Sequence, residues 1–568
     1  MSAENLPVLI AGAGPTGLTL ACELARRGIG LRIIDKAPAP SRLSRALAVH
    51  ARTLEHLNNL GVAEDLISRG VHAREMHIHA GGERIVRLGF EELESRYQFV
   101  LSVPQAETEA VLACQLKKHG IAVERGAELL DFEQNLELVE AKVRHADGRE
   151  ETIRSRWLVG CDGAHSAVRK AAGFEFPGHG AEETFGLADV RLDWDFPSNT
   201  LHAFFSEEGP CAAIPLPGEN RWRLIAVLEA APEGMEAPTA EFFQKILAER
   251  GQVEAEASDP AWTAWFRVNY RLSSRYRDNR VFLAGDAAHI HSPVGGVGMN
   301  TGIQDAINLA WKLALVERGH GLLNLLDSYE TERRPVAEAV LHGTEAATRA
   351  ITLRSPLARG VRNRLAHFLS SLDIIQRRLA GNVSGIAGVH YRESPLVCEH
   401  QNSVLQARLG WSSGGESANL ADWRRFHAAP HAGDRAPDGE VSVRGNGEAM
   451  VRLSELLRDG RHALLLFDGE AETQEGYRQL GDIGRAVRAR WGEFISVHVI
   501  VPRAASPETD ADVDWAGSLL YDPEGDLEHR YGAGAQCLYL IRPDGYIGFR
   551  SQPVNGDALF KHLEHLLR

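Results

Sequence analysis

Three glycines near the N-terminus constrain this chain more than any other feature: Gly12, Gly14 and Gly17 in the stretch LIAGAGPTGLTLACELARRGIGLRIID. They spell G-x-G-x-x-G between an apolar strand pattern at 6–11 and a helix pattern carrying Leu18, Leu20, Ala21, Leu24 and Ala25 on one side. Each glycine has a mechanical reason. Gly12 permits the tight turn, Gly14 lets a pyrophosphate approach the backbone, and Gly17 allows close helix–strand packing. The helix N-terminus that follows offers unpaired N–H groups and a positive dipole end to phosphates. Gly28 and Gly30 end the helix, the strand LRIID follows, and Asp35 lies 23 residues after Gly12, where an acid that holds an adenosine ribose belongs. The pattern predicts a dinucleotide-binding unit. The cluster GAGAQC at 532–537 leads into a strand and lacks the anion-binding helix end.

A chain of 568 residues is too long for one core and predicts several units. Strand patterns fill 74–100 and 184–230, 103–125 reads as helix, and 127–160 as short strands ending in WLVGCDG. Long helical patterns occupy about 301–380, and SYETERRP within them reads as a charged helix surface. Around 400–445 the chain turns rich in Gly, Pro, Ser and His, as a linker would, before a tail that alternates strands and helices.

Two later motifs select the dinucleotide. In LVGCDGAHSAVRKAAG, Asp162 and Gly163 follow an apolar strand; in RVFLAGDAAHIHSPVGGVGMNTGIQDAINLAWKL, Gly285 and Asp286 follow another, before a glycine-rich bend and a helix starting near Asn300. The aspartate can accept hydrogen bonds from a polyol, and the Gly295–Asn300 segment offers N–H groups suited to an electron-rich ring edge. With these motifs the sequence resembles the group A flavoprotein aromatic hydroxylases, typified by para-hydroxybenzoate hydroxylase and phenol hydroxylase. The resemblance implies resident FAD, with NADPH or NADH as co-substrate. Carried over, Gly12, Gly14, Gly17 and Asp35 hold the ADP half, Asp162 supports it, and Asp286 binds ribityl hydroxyls. Pro293 and the backbone of Gly296, Gly298, Met299 and Asn300 lie along the isoalloxazine. SRALAVHARTLEHL resembles the family's arginine-bearing segment and makes Arg45 a FAD or nicotinamide contact; LSVPQAETEAVL makes Gln105 a ribityl or phosphate contact.

The expected fold is α/β: a Rossmann-like FAD-binding domain (1–73, 101–183 and 276–395, the last with a helical segment), an inserted mixed β-sheet substrate domain (74–100 and 184–275), a linker (396–430) and a thioredoxin-like domain (431–568). That last module resembles the tail of phenol hydroxylase. Its one cysteine, Cys537, belongs to no C-x-x-C pair, so the module is expected to be structural, covering the flavin domain or joining subunits of a homodimer.

The implied reaction is hydroxylation of a phenolic or polycyclic aromatic compound by O2, through a C4a-hydroperoxyflavin. Baeyer–Villiger oxidation or modification of a polyketide antibiotic, and a flavin carrier that does no oxygenation, are the alternatives. Catalytic candidates are His50, Arg223 and Pro293, with Trp222 as a further pocket candidate. Leu47 and Ala48 are apolar where some relatives place a phenol-activating base, so that base stays unassigned. No metal is expected: His289 and His291 have H-x-H spacing, but no third ligand is placed. A net charge of −15 argues against nucleic acid or an anionic membrane as partner. Six scattered cysteines suit a reducing cytoplasm.

Overall fold

The computed structural model describes residues 6–41, 44, 46–351, 381, 388–413, 416–443, 450–469, 474–501 and 518–567. Arg45 and the helical pattern expected over 352–380 lie outside the described residues. The chain divides into two units, residues 1–310 with 333–388 and residues 311–332 with 389–568.

In the first unit, Leu6–Ala11 lies between Leu31–Asp35 and Glu150–Gly160, parallel to both, and Glu150–Gly160 pairs in parallel with Val281–Leu283. Val8, Leu9, Ile10, Leu158, Val159 and Phe282 are all fully buried, as expected of parallel strands covered on both faces. Ala11 stands opposite Gly160, and Gly160 opposite Leu283. Three strands distant in sequence therefore stop at one edge, and each of the three motifs begins there. Ligands of parallel α/β sheets bind at that carboxyl edge.

A second sheet of eight strands runs His289–Ile290, Glu256–Leu272, Gly178–Asp193, Arg221–Leu228, Cys211–Pro215, Thr200–Phe205, Glu75–Ala80, Glu83–Gly89. One face packs Ala188, Val190, Trp222 and Leu224 under the helix Ala240–Ile246. The opposite face carries Phe185, Val227, Val268 and Tyr270, against Leu341 of the helix Asp327–Ile351.

The second unit is built on another eight-stranded sheet, with His462–Gly469 at its centre. Leu464 and Leu466 of that strand join one core with the helices Gln474–Trp491 and Gly556–Leu566. Ala463, Leu465 and Phe467 point the other way, to Phe426, Leu527 and Tyr531. A hairpin turning at Pro543-Asp544-Gly545 forms between Ala535–Ile541 and Ile547–Gln552, with Gly545 at φ 76°. Cys537 is fully buried in the first of these strands, and desolvation pushes its thiol well up, which suits no redox chemistry.

Two expectations need correction. Residues 396–430 are no linker. Cys398–Gln401 pairs in parallel with Ile547–Gln552, and the helix Leu420–Ala428 supplies Phe426 to the core. Their polar residues serve as caps: Ser403 and Asn419 each open a helix with a capping box. SYETERRP is no surface network either, because Glu332 and Arg333 have fully buried side chains. In the second unit Glu332 accepts from Lys312 at 2.7 Å, from both terminal nitrogens of Arg542 at 2.7 and 2.8 Å, and from Ser394 at 2.6 Å. Among the described residues, no helix is long and apolar enough to cross a membrane.

Candidate functional site

The glycine turn is shaped by clashes that glycine avoids. Gly12 has φ 101°, and a Cβ there would stand 2.3 Å from the Cys161 carbonyl oxygen; one at Gly17 would stand 2.0 Å from the Gly12 oxygen. Gly14 differs. A Cβ there would meet nothing within 4 Å, so the protein leaves space over the turn. The helix Pro15–Arg26 starts at that point, with no side-chain cap and no acid in its first turn. An open, uncapped helix N-terminus suits phosphate. Asp35 does two jobs for the same loop: its oxygens accept from the N–H of Ala13 at 2.7 Å and of Ala37 at 2.8 Å. Arg125 stands 3.6 Å from it.

Asp162 accepts from the N–H groups of Ala167 and Val168 through Oδ2, at 2.6 and 3.2 Å, while Oδ1 is buried with no hydrogen-bond partner. Such an acceptor fits a hydroxyl-bearing ligand. Arg169 braces this motif to the next. Its guanidinium donates to Ala287 O at 2.8 Å and Ala164 O at 2.9 Å, and packs on Phe176 at 3.8 Å. Asp286 is exposed, on the short turn Gly285–Ala287. Gln105 opens the helix Gln105–Lys118, accepts from Ala46 N–H at 3.3 Å and donates to Glu109 at 2.8 Å. Burial raises the Glu109 pKa.

The glycine-rich bend is held from inside. Gly295 and Gly296 have φ 82° and 66°, and a Cβ at Gly296 would stand 2.6 Å from that of Ala48. Asn300 is 2% exposed; its Nδ2 donates to Gly296 O at 2.8 Å and Ala48 O at 2.9 Å. Pro293 and Gly295 are exposed, and Gly296, Gly298 and Met299 half-buried, so the outer side of the bend is open to a ring. His50 is 1% exposed, and its Nε2 hydrogen-bonds to Gly295 O at 3.0 Å. Burial pushes it down to about 4, so it is neutral and positions the bend.

Arg223 pairs with Asp189 at 2.6 and 2.8 Å and stands 5.0 Å from the Trp262 ring. It shares the sheet face of Phe185 and Val227. Trp222, its neighbour on the strand, points to the opposite face and packs under Ala240–Ile246. Trp222 therefore belongs to a core and not to that face, because adjacent strand residues point apart.

Four contributors escaped the sequence reading. Thr16 fills the space beside Gly285 and Gly302, where a Cβ would stand 2.5 and 2.4 Å from its hydroxyl. Asp305 is fully buried and joins three elements. It accepts from Gly285 N–H at 3.1 Å, His289 Nε2 at 2.8 Å and Arg333 Nε at 2.7 Å. Arg169 and Arg333 complete these braces. An acid inside the apolar pattern IQDAINLAW was the available signal for Asp305.

The space over Gly14, the bare helix end and the unpartnered Asp162 oxygen together fit the phosphates and hydroxyls of FAD. The comparisons with known proteins agree. Residues 5–344 match the family model "FAD binding domain", and residues 429–568 match "Aromatic-ring hydroxylase, C-terminal". The chain is 35% identical to 6-methylpretetramide 4-monooxygenase of Streptomyces rimosus, over 100% of this chain and 94% of that protein. It is 33% identical to pentachlorophenol 4-monooxygenase of Sphingobium chlorophenolicum, over 99% and 96%. Among solved structures, the anhydrotetracycline hydroxylase OxyS of Streptomyces rimosus aligns with TM-score 0.72 and 29% identity, over 99% of each chain.

Proposed function

This chain belongs to the group A FAD-dependent aromatic hydroxylases, and from that premise we propose that it uses NADPH or NADH with O2 to hydroxylate a phenolic or polycyclic aromatic compound. The observation that carries this reading is the convergence of three motif turns, after Ala11, Gly160 and Leu283, on one sheet edge. Bound FAD would supply the redox and oxygen chemistry, accepting a hydride from the nicotinamide and activating O2.

The chain's own residues hold and orient. Gly12, Gly14, Gly17 and the N-terminus of Pro15–Arg26 receive the ADP half, with Asp35 keeping the turn in shape. Asp162 Oδ1 would accept a cofactor hydroxyl, Asp286 would bind the ribityl chain and Gln105 would contact the ribityl or phosphate portion, while the role of Arg45 as a FAD or nicotinamide contact rests on the resemblance alone. Pro293 and the backbone of Gly296, Gly298, Met299 and Asn300 border the ring, held in place by His50. Arg223, paired with Asp189, lines the substrate side. The mechanism needs no protein nucleophile, so the site's work is positioning and water exclusion. One relative is a 6-methylpretetramide monooxygenase and another a pentachlorophenol monooxygenase, which supports a substrate class that takes in both phenolic and polycyclic compounds.

The second sheet, chiefly from 74–100 and 184–275, is in the same proposal a substrate domain inserted into the FAD-binding domain. We read residues 431–568, within the second unit, as a thioredoxin-like structural module. Its strand–helix–strand portion (462–501) followed by hairpin and helix (535–566) supports this. The scattered free thiols suit the cytoplasm.

The test is oxidation of NADPH and NADH by FAD-loaded protein against a panel of phenols and polyphenolic polyketides, with products weighed. Substrate-stimulated turnover with a product heavier by one oxygen supports the reading. A ring-opened product points to Baeyer–Villiger insertion. Turnover that no compound stimulates counts against it.

A further inference from the structure

Three buried histidines meet on the helix-covered face of the second sheet, the face of Phe204 and Trp222, across it from Arg223. His77 and His79 alternate along Glu75–Ala80, which puts both on one face. His202 lies directly opposite His77 on the parallel neighbour Thr200–Phe205. They are 8, 6 and 1% exposed. One nitrogen from each lies within 4.8 Å of the other two, and His79 Nε2 stands 3.2 Å from His202 Nδ1.

We propose that His77, His79 and His202 form a binding site for a divalent transition metal of the zinc class. A tetrahedral zinc with Zn–N bonds of about 2.0–2.1 Å has ligand edges of about 3.3–3.4 Å, close to the His79–His202 spacing. Bringing His77 to the same edge length is a rotamer-scale adjustment. One observation beside the cluster itself points to a ligand beyond packing. His77 Nε2 is bound by Glu75 Oε2 at 2.7 Å, and Arg87 fixes that carboxylate in turn, an arrangement that orients a ligating imidazole and leaves Nδ1 for the metal.

Phe196, Phe204 and Trp194 wall the cluster with ring centroids 4.5–5.5 Å from His79 or His202. The His77 side chain keeps a tenth of its surface, which gives an entry path. The ion would staple the edge hairpin 75–89 to a strand 123 residues further on, counted from His79 to His202. Its role is to fix the substrate sheet, and the inference is independent of the reading given above for the flavin edge.

The experiment uses the full-length flavoprotein, stripped with chelator and then saturated with Zn2+ alone. After gel filtration, metal analysis should find about one equivalent per chain, and excess Zn2+ should raise the thermal midpoint by about 2 °C or more where Mg2+ does not. His79→Gln and His202→Asn should retain FAD and lose that equivalent. Wild-type protein that retains no zinc and shows no shift overturns the proposal. So do folded variants that bind as much as wild type. If the variants fail to fold, the wild-type stoichiometry and the Zn2+-against-Mg2+ shift decide it.

Discussion

Asn300 and His50 are joined across 250 residues of sequence: the His50 backbone N–H donates to Asn300 Oδ1 at 2.9 Å. The same amide donates to Ala48 and Gly296, and the His50 ring turns back to Gly295. One buried amide thus fixes the segment 48–50 against the bend that we propose borders the flavin ring. Neither residue needs to react for this clamp to shape the site.

Replacing Asn300 with Ala leaves one N–H and two carbonyls without their partner. Unmet buried groups cost about 1–3 kcal/mol each, partly recovered by water. We expect FAD affinity, measured by flavin fluorescence on titration, to fall by about 10- to 100-fold. Asn300→Asp keeps the acceptor for His50 but loses both donated bonds, and should weaken binding comparably.

Gly12 and Gly14 should separate fold from ligand. Gly12→Ala forces a Cβ into Cys161 at a φ of 101° and should lower soluble yield and the thermal midpoint. Gly14 has φ −80° and open space, so Gly14→Val should fold with an apoprotein midpoint within about 2 °C of wild type and still fail to retain FAD. FAD retention by the folded Gly14→Val protein would show that the pyrophosphate lies elsewhere.

Acid should destabilise the protein through buried neutral histidines. Burial holds His50 at about 4, below the ordinary imidazole value of 6.5. Between these values the unfolded chain binds a proton that the folded chain refuses, so stability is lost as pH falls from 6.5 to 4. One such group contributes on the order of 3 kcal/mol. His291, His498 and His562 are pushed to about 4 by the same cause. Urea unfolding at pH 7, 5.5 and 4.5 should show the loss, and His50→Gln should reduce it by the share of one such group.

Two buried ionic clusters should be sensitive to loss of one member. Asp305→Asn removes the charge facing Arg333, and Arg542→Met removes one facing Glu332; all four side chains are at most 1% exposed. Stranding a buried charge costs about 3–5 kcal/mol. Both variants should lower the denaturant midpoint. Asp305→Asn should also weaken FAD, because the same carboxylate accepts the Gly285 N–H.

What was legible in the sequence was local. The turn at Gly12, the Asp162 and Asp286 motifs and the hairpin at Asp544 are each written in a few adjacent residues. What was not legible depends on which residues meet across strands and helices. Glu332 and Arg333 look like a solvated pair until Arg542 and Asp305 are placed beside them. Trp222 and Arg223 could have been told apart, since strand alternation alone forbids both from lining one face. His77 and His79 carry the same alternation signal, but their partner His202 comes only from strand pairing.

The most direct measurement of the central claim is a turnover of the FAD-loaded protein under 18O2 with NADPH or NADH and an accepted aromatic substrate. The account predicts a product heavier by one 18O atom, formed in step with nicotinamide oxidation and with the ring intact. Nicotinamide oxidation that yields only hydrogen peroxide, with every aromatic compound recovered unlabelled, would contradict it.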